Sequence, residues 1–211
     1  MLQLPKFNKI NTTQALDVFA HTYTQCSGFN VNRDYYENNQ VFGIYWKSRM
    51  IGGFVLGTGE TLRTLEVFVG SEHRDGLYTH VKSSVPHTEM CCFWMEPSTR
   101  KKTWLNFFVW FCVAYALRVH GTQQLIFGTN SIRLAALYSA TPKCTLLHSD
   151  YLNQKQTFVF TGPRKDCLLG VAQILSYKFR RVMKIASKRS KSRILASKQE
   201  NSDAIARHAL S

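Results

Sequence analysis

The sequence lacks three patterns that would assign it to a familiar class of protein. None of its six cysteines forms the Cys-x-x-Cys pair that zinc sites and redox centres use. Its first 14 residues contain no apolar run long enough for a secretory signal peptide. The most apolar segment, residues 104–117, is shorter than the roughly 20 residues that span a bilayer. We therefore expect reduced thiols, no metal ion and a cytoplasmic protein, with peripheral membrane contact left open.

Acidic residues are also scarce. The chain has 27 Lys and Arg residues against 13 Asp and Glu residues, which gives a formal net charge of +14 at pH 7. A surface this basic favours polyanions, and nucleic acid, anionic lipid and phosphorylated cofactors all qualify. With 211 residues, 45% of them hydrophobic, the chain is long enough for one well-packed domain.

The order of apolar patterns predicts an α/β (α+β) domain, with helices packed on a mixed, mostly antiparallel sheet. In the first part of the chain, the predicted elements are a helix from Thr12 or Thr13, a hairpin in "NQVFGIYWKSRMIGGFVLG", an extended piece "RTLEVFVG" and a polar loop over 71–87. A central strand "TEMCCFWM" and a helix over 103–120 follow. The remaining predicted elements are a strand "QQLIFG", a helix "SIRLAALYSA", and strands around "KCTLLHSD" and "KQTFVFTG".

The composition changes after residue 165, which divides the chain into a domain over 1–165 and a basic helical extension over 166–211. The extension holds ten basic and three acidic residues and carries an apolar stripe at helical spacing. It could dock on the domain with its charges in water, lie on an anionic membrane, or contact nucleic acid through residues 168–198. From about residue 187 onward, the low apolar content predicts partial disorder.

A candidate anion site lies where the central strand gives way to the long helix. The strand ends at Met95, Pro97 follows it, and the helix begins near Thr103. The backbone N–H groups at the start of a helix lack partners within the helix and attract anions. Because three cations, Arg100, Lys101 and Lys102, stand beside these groups, we expect a phosphate or pyrophosphate there. The alternative is a solvated charge run in a turn.

The same segment, "MEPSTRKKTWL", resembles the loop that cradles the coenzyme A pyrophosphate in the GNAT superfamily of acyl-CoA-dependent N-acyltransferases. In the family pattern Arg/Gln-x-x-Gly-x-Gly/Ala, Arg100 takes the first place, while Thr103 and Leu105 replace the glycines. "TNSIRLAALYSATP" resembles a later family pattern, an Asn followed eight residues on by a Tyr, here Asn130 and Tyr138. The hairpin "GIYWKSRMIGGFVLG" is similar to the family's substrate-binding strands. The resemblance covers residues 10–162 and rests on the order of three motifs.

The resemblance implies transfer of an acyl group from acetyl-CoA, or a longer acyl-CoA, to an amine. It implies that the segment from Arg100 to Thr103 holds the pyrophosphate and that Asn130 contacts the pantetheine arm. Backbone N–H groups from Phe93 to Met95 would stabilise the oxyanion, and Tyr138 would protonate the departing thiolate.

Glu89 is the nearest carboxylate that could take the amine proton. Alternatively, Glu89 is an exposed charge at a strand start and Tyr138 is a core aromatic. Two other functions stay open: a non-catalytic binding module of the same fold, and an N-acyl synthase that depends on acyl carrier protein. The sequence predicts neither the amine acceptor nor the oligomeric state.

Overall fold

A mixed sheet forms the centre of the molecule. The structure, a computed structural model, describes residues 4–58, 61–82, 85–152, 154–177, 179–180, 183 and 187. Within these residues the sheet has seven strands in the order β1-β2-β3-β4-β5-β7-β6, and β4 and β5 form its one parallel pair. The strands are β1 (Lys6–Lys9), β2 (Gln40–Trp46), β3 (Arg49–Gly57), β4 (His87–Met95), β5 (Gln124–Thr129), β6 (Thr145–Leu152) and β7 (Lys155–Pro163). The predicted α/β class is confirmed.

Helices cover both faces of this sheet. They are α1 (Thr13–Ser27), α2 (Arg33–Glu37), α3 (Arg63–Phe68), α4 (Ser71–Lys82), α5 (Pro97–Lys101), α6 (Thr103–His120), α7 (Ile132–Ser139) and α8, which spans residues 164–177. None of the helices in the described ranges is both long and apolar enough to cross a membrane.

Local sequence chemistry sets several of the element ends. The Thr12 hydroxyl accepts a hydrogen bond from the Ala15 backbone N–H and so caps α1, and Gly28 ends this helix in the left-handed conformation with φ 78°. Lys47 and Ser48 both have positive φ, 52° and 60°, as a two-residue hairpin turn requires. The predicted first helix and the β2–β3 hairpin are thereby confirmed.

The core is split by the sheet into two apolar layers. On one face α6 packs against β2, β3 and β5, and Leu105, Val109 and Val113 have no exposed surface. On the other face Phe19 of α1 packs near Trp94, and α3 and α4 continue this layer. Because Trp94 and its neighbour Met95 are both buried on opposite faces, β4 is the doubly covered strand that its apolar sequence predicts.

Two sequence predictions were wrong. The predicted extended piece "RTLEVFVG" is helix α3 with Val69 as its C-cap, and the predicted polar loop 71–87 contains helix α4. In α4 only Leu77, Tyr78 and Val81 pack against the cluster formed by α3, β5 and β7. Such a narrow apolar stripe, interrupted nearby by Gly76, carries little periodic signal in the sequence. The short elements β1, α2 and α5 were not predicted.

Helix α8 begins the predicted extension. Its buried residues Cys167, Val171 and Ile174 follow the spacing of one helical face, and the last two pack against Trp110 of α6. Most of the extension beyond residue 177, including the segment predicted to be disordered from about 187, lies outside the described residues. The boundary at residue 165 stays a prediction.

Candidate functional site

The parallel strands β4 and β5 separate partway along their length. They pair over only four positions, from His87 with Gln124 to Met90 with Phe127. Strand β4 continues to Met95, yet none of the described residues pairs with it on the β5 side beyond Met90. The backbone groups that residues 91–94 present on that edge therefore have no partner strand among the described residues, whereas the Met95 carbonyl accepts a hydrogen bond from Arg100 Nε.

A β-bulge in β4 lies at the point of separation. Cys92 and Phe93 together stand opposite the single residue Phe54 of β3, and Cys92 has φ 49°. A bulge of this kind bends its strand and changes the direction of its backbone groups. The predicted oxyanion-binding segment, Phe93 to Met95, therefore begins directly at the bulge.

A first cavity of about 390 Å³ fills the opening between the two strands. Four of the predicted site residues line it: Phe93, Arg100, Asn130 and Tyr138. The rest of the described lining is Tyr23, Cys26, Ser27, Phe29, Arg63, Thr64, Val67, Phe68, Met90, Cys91, Cys92, Trp94, Trp110, Phe127, Gly128, Thr129, Ser131, Leu134 and Lys155. The structure thus brings together residues from the strand-to-helix segments after both β4 and β5.

A second cavity of about 500 Å³ adjoins the first at the N-terminus of α6. The two cavities share Arg100, Trp110 and Leu134. The second cavity is also lined by Lys101, Thr103, Asn106, Arg133, Leu137, Ile174 and Tyr177. Its charged lining within the described residues consists of three cations, so it attracts anions.

Polar groups without partners in the second cavity fit an anionic ligand that also donates hydrogen bonds. No side chain caps α6 at Lys102, which leaves the first N–H groups of this helix to other acceptors. The buried Oδ1 atom of Asn106 also has no hydrogen-bond partner, while its Nδ2 donates to the Arg100 carbonyl at 3.3 Å. Phosphate oxygens suit the N–H groups and the cations, and a donor on the same ligand suits Oδ1.

Arg100 is held in place at the junction of the two cavities. Its Nε atom donates to the Met95 carbonyl at 3.0 Å, which ties the guanidinium to the end of β4. Met95 itself is buried in the core and lines neither cavity. The Lys102 ammonium lies 4.3 Å from the centre of the Trp46 ring, away from both cavities. Lys102 therefore lies outside both cavities, contrary to the sequence prediction. The role predicted for Met95 uses its backbone N–H, does not depend on where its side chain lies, and stays a prediction.

Tyr138 is both a core residue and a lining residue. Its ring centre lies 4.5 Å from that of Phe127, and only 4% of its surface is exposed. Burial raises the pKa of its hydroxyl, so the phenol keeps its proton at neutral pH. It can therefore donate a proton or a hydrogen bond into the first cavity.

Glu89 has a different setting from the one predicted. It is fully buried and lines neither cavity within the described residues, which excludes an exposed charge at a strand start. Its carboxylate accepts hydrogen bonds from the Tyr35 hydroxyl at 2.5 Å, the Arg63 backbone N–H at 3.0 Å and the Thr64 backbone N–H. Burial raises the pKa of this carboxyl group. Because three donors occupy its oxygens, Glu89 fastens the start of α3 to β4.

The polar and charged lining residues that sequence reasoning missed include Arg63, Asn106 and Arg133. Asn106 did leave a signal, because a lone amide in an apolar helix usually has a polar partner. Arg133 lies inside the "TNSIRLAALYSATP" segment, one position after the start of α7. Arg63 had no signal, since its segment was predicted to be extended.

Comparisons with known proteins identify the fold. No family model matches the sequence, and no curated protein matches it. Among solved structures, the N-acyl amino acid synthase FeeM from uncultured soil microbes aligns with a TM-score of 0.53 at 13% identity, over 78% of this chain and 93% of that one. The CoA-dependent acyl-homoserine lactone synthase MesI aligns with a TM-score of 0.51 at 11% identity, over 81% and 95% of the two chains.

A GNAT family acetyltransferase from Elizabethkingia anophelis with acetyl-CoA bound also matches, with a TM-score of 0.45 and 9% identity, over 75% and 97% of the two chains. Identities this low show a shared fold and nothing finer. The GNAT-like fold predicted from the sequence is confirmed.

Proposed function

We propose that this chain, which has the GNAT fold, transfers an acyl group from acyl-CoA to an amine acceptor. One observation carries the proposal: the cavity in the gap between β4 and β5 shares Arg100, Trp110 and Leu134 with a cationic cavity at the start of α6. A ligand with a diphosphate at one end and an acyl thioester at the other fits this shape and charge.

The proposed placement of the donor follows from the charges. The diphosphate would bind Arg100, Lys101 and Arg133 together with the free N–H groups of α6. The pantetheine arm would pass Asn130 and run between the separated strands, where exposed backbone groups can bind its amides. Phe93, Trp110 and Phe127 give the first cavity an apolar wall, so acyl chains longer than acetyl are acceptable as well.

The proposed chemistry uses groups on both strands. The free amine attacks the thioester carbonyl, and N–H groups of β4 beyond the bulge stabilise the oxyanion that forms. When the carbon–sulfur bond breaks, Tyr138 donates its proton to the thiolate, the amine proton passes to water, and Tyr138 regains a proton from water before the next turnover. Since three hydrogen-bond donors of the protein surround the Glu89 carboxylate, Glu89 does not contact the substrate.

Thermal stabilisation by acyl-CoAs of increasing chain length tests the proposal. A ligand at about 100 times its Kd stabilises the folded state by about 2.7 kcal/mol, which raises the melting temperature by several degrees. Amine-dependent release of the free thiol of coenzyme A measures turnover. If no acyl-CoA stabilises the protein, the proposal is wrong. Salt dependence of turnover separates coenzyme A from a carrier protein, whose surface contacts are screened more strongly.

A further inference from the structure

The charge of the first cavity restricts the kind of amine that it can accept. Its charged lining within the described residues is Arg63, Arg100 and Lys155, and none of these lining residues is acidic. Simple alkyl amines are cations at neutral pH, with pKa values of roughly 10. Such a cation would meet three like charges and no compensating carboxylate. An acceptor that carries its own negative charge avoids this repulsion.

Of the three cations that line the first cavity, Arg63 is the one with a buried side-chain nitrogen that lacks a hydrogen-bond partner. One of its Nη atoms donates to the Asn30 carbonyl, but its Nε atom is buried without a hydrogen-bond partner. No ion pair joins Arg63 to any carboxylate among the described residues. A buried donor without an acceptor destabilises a protein unless a ligand supplies that acceptor.

Arg63 also occupies a suitable position for a substrate. It lines the first cavity and a third cavity of about 380 Å³, which lies between α2 and α3. The hydrogen bonds from its backbone N–H and that of Thr64 to Glu89 fix the start of α3 and thereby the base of the Arg63 side chain. An acceptor bound at Arg63 shares the first cavity with Phe93 and Tyr138, the residues beside the proposed thioester.

We infer that Arg63 binds the carboxylate of the acceptor, and that the acceptor is an amino acid or a similar amine with a nearby carboxylate. This inference rests on the proposed acyl transfer and names its substrate class. The planar guanidinium matches a carboxylate and can bind it through two parallel hydrogen bonds. The remaining cations disfavour the ammonium form of the bound amine and so favour the nucleophilic free base.

Matched acceptors test the inference by turnover. Phenylalanine is compared with phenylalaninamide and phenethylamine, and leucine with leucinamide and isoamylamine. We expect kcat/KM to be about tenfold or more higher for each amino acid than for its two neutral-tail analogues. Equal or higher values for the analogues would overturn the inference.

Substitutions at Arg63 separate a binding role from a structural one. Arg63→Gln should lower kcat/KM for the amino acids about tenfold and leave the amides and amines nearly unchanged, while Arg63→Lys should retain part of the preference. Arg118→Gln, at an exposed residue in the last turn of α6, is the matched control. A uniform loss for all acceptors, or a loss of melting temperature alone, would assign Arg63 a structural role.

A binding measurement keeps this test independent of turnover. N-octanoyl-phenylalanine and N-octanoyl-phenylalaninamide are titrated into the protein by calorimetry, and the acid should bind about tenfold more tightly. If acyl transfer is not detected but this preference holds and disappears in Arg63→Gln, the carboxylate site stands and the proposed function does not. Equal binding, or no binding of the acid, would overturn the carboxylate site even if amines are acylated.

Discussion

At the scale of single residues, Arg100 and Lys102 make a natural pair for comparison. Arg100 lines both cavities, whereas the Lys102 ammonium lies over the Trp46 ring. Arg100→Ala should weaken coenzyme A binding about tenfold, because one charge-assisted contact with the diphosphate is lost. Lys102→Ala should leave the affinity nearly unchanged. Calorimetry measures the coenzyme A affinity of both variants. If Arg100→Ala binds coenzyme A as tightly as the unaltered protein does, Arg100 does not contact the diphosphate.

The Tyr138 hydroxyl is predicted to act in catalysis and not in binding. Tyr138→Phe keeps the ring that packs against Phe127 and removes the proton donor, so we expect turnover to fall about a hundredfold with little change in acyl-CoA affinity. Single-turnover kinetics and calorimetry check the two quantities. Tyr115→Phe, at a half-exposed residue of α6, is the control. Equal rates for the Tyr138 variant would show that its role is packing alone.

The sequence predicted some site residues better than others for a geometric reason. Arg100 and Asn130 follow the ends of β4 and β5 within five residues, and Tyr138 lies on α7, the helix that follows β5, so the strand order brings these segments together. The direction of the Lys102 side chain depends on the backbone break between α5 and α6, where Lys102 has φ −87° and ψ 100°. No pattern in the sequence predicts such a break.

At the scale of elements, substitution by alanine should have opposite effects on stability at Gly76, inside α4, and at Gly28, which ends α1. Gly76 lies inside α4, and a Cβ atom there would meet no atom within 4 Å. Gly76→Ala should therefore raise the free energy of unfolding by about 0.5 to 1 kcal/mol. Gly28→Ala should lower it by about 1 kcal/mol, because Gly28 needs its left-handed φ of 78°. Denaturant titration measures both, and a destabilised Gly76→Ala would argue against helix α4.

The link between β4 and α3 should make stability depend on pH. Burial raises the folded-state pKa of Glu89 above the ordinary value of 4.5, so the folded state holds the proton more tightly than the unfolded state. The stabilisation is complete below about pH 4.5 and is lost as pH rises through the folded-state pKa. Glu89→Gln should abolish this part of the pH dependence and cost about 1 to 3 kcal/mol, since one buried N–H loses its acceptor.

Denaturant titrations of Glu89→Gln and of the unaltered protein from pH 4.5 to 8 measure the contribution of Glu89 as the difference between their free energies of unfolding. Glu96→Gln, which breaks a pair with the exposed Arg49, controls for removal of a carboxylate. If the free energy of unfolding depends on pH in the same way in Glu89→Gln and in the unaltered protein, the Glu89 carboxyl group has the same pKa in the folded and unfolded states.

Elements with strong periodicity were predictable, and those fixed by a distant contact were not. Strand β4 is apolar on both faces, and α6 has a long apolar stripe that ends before Gly121. Helix α3 has only six residues, and its first turn depends on a carboxylate that lies 25 residues further along the chain. A distant partner of this kind leaves no mark in the local sequence.

At the scale of the whole molecule, the basic charge is concentrated beyond α8. Residues 181–211 contain eight basic and two acidic side chains. A chain that ends at residue 180 keeps the buried Val171 and Ile174 of α8. We expect this shortened chain to keep its melting temperature and its stabilisation by acyl-CoA, and to bind anionic vesicles and DNA more weakly at low salt.

Co-sedimentation at two salt concentrations measures the difference between the two chains. If the shortened chain loses binding to vesicles alone, the extension has a membrane role. If it loses binding to DNA alone, the extension contacts nucleic acid. Unchanged co-sedimentation with both would show that the charge beyond residue 180 contributes nothing to polyanion binding.

The divided sheet has one further consequence. Strands β1 to β4 form one block of the sheet and β5 to β7 another, and within the described part of the chain the backbone pairing between the two blocks consists of four residue pairs of β4 with β5. An acyl-CoA whose pantetheine amides bind the unpaired edges of both β4 and β5 would supply the backbone hydrogen bonds that the two strands do not make with each other. Substrate capture and completion of the sheet would then be a single event, in which the ligand serves as a temporary eighth strand.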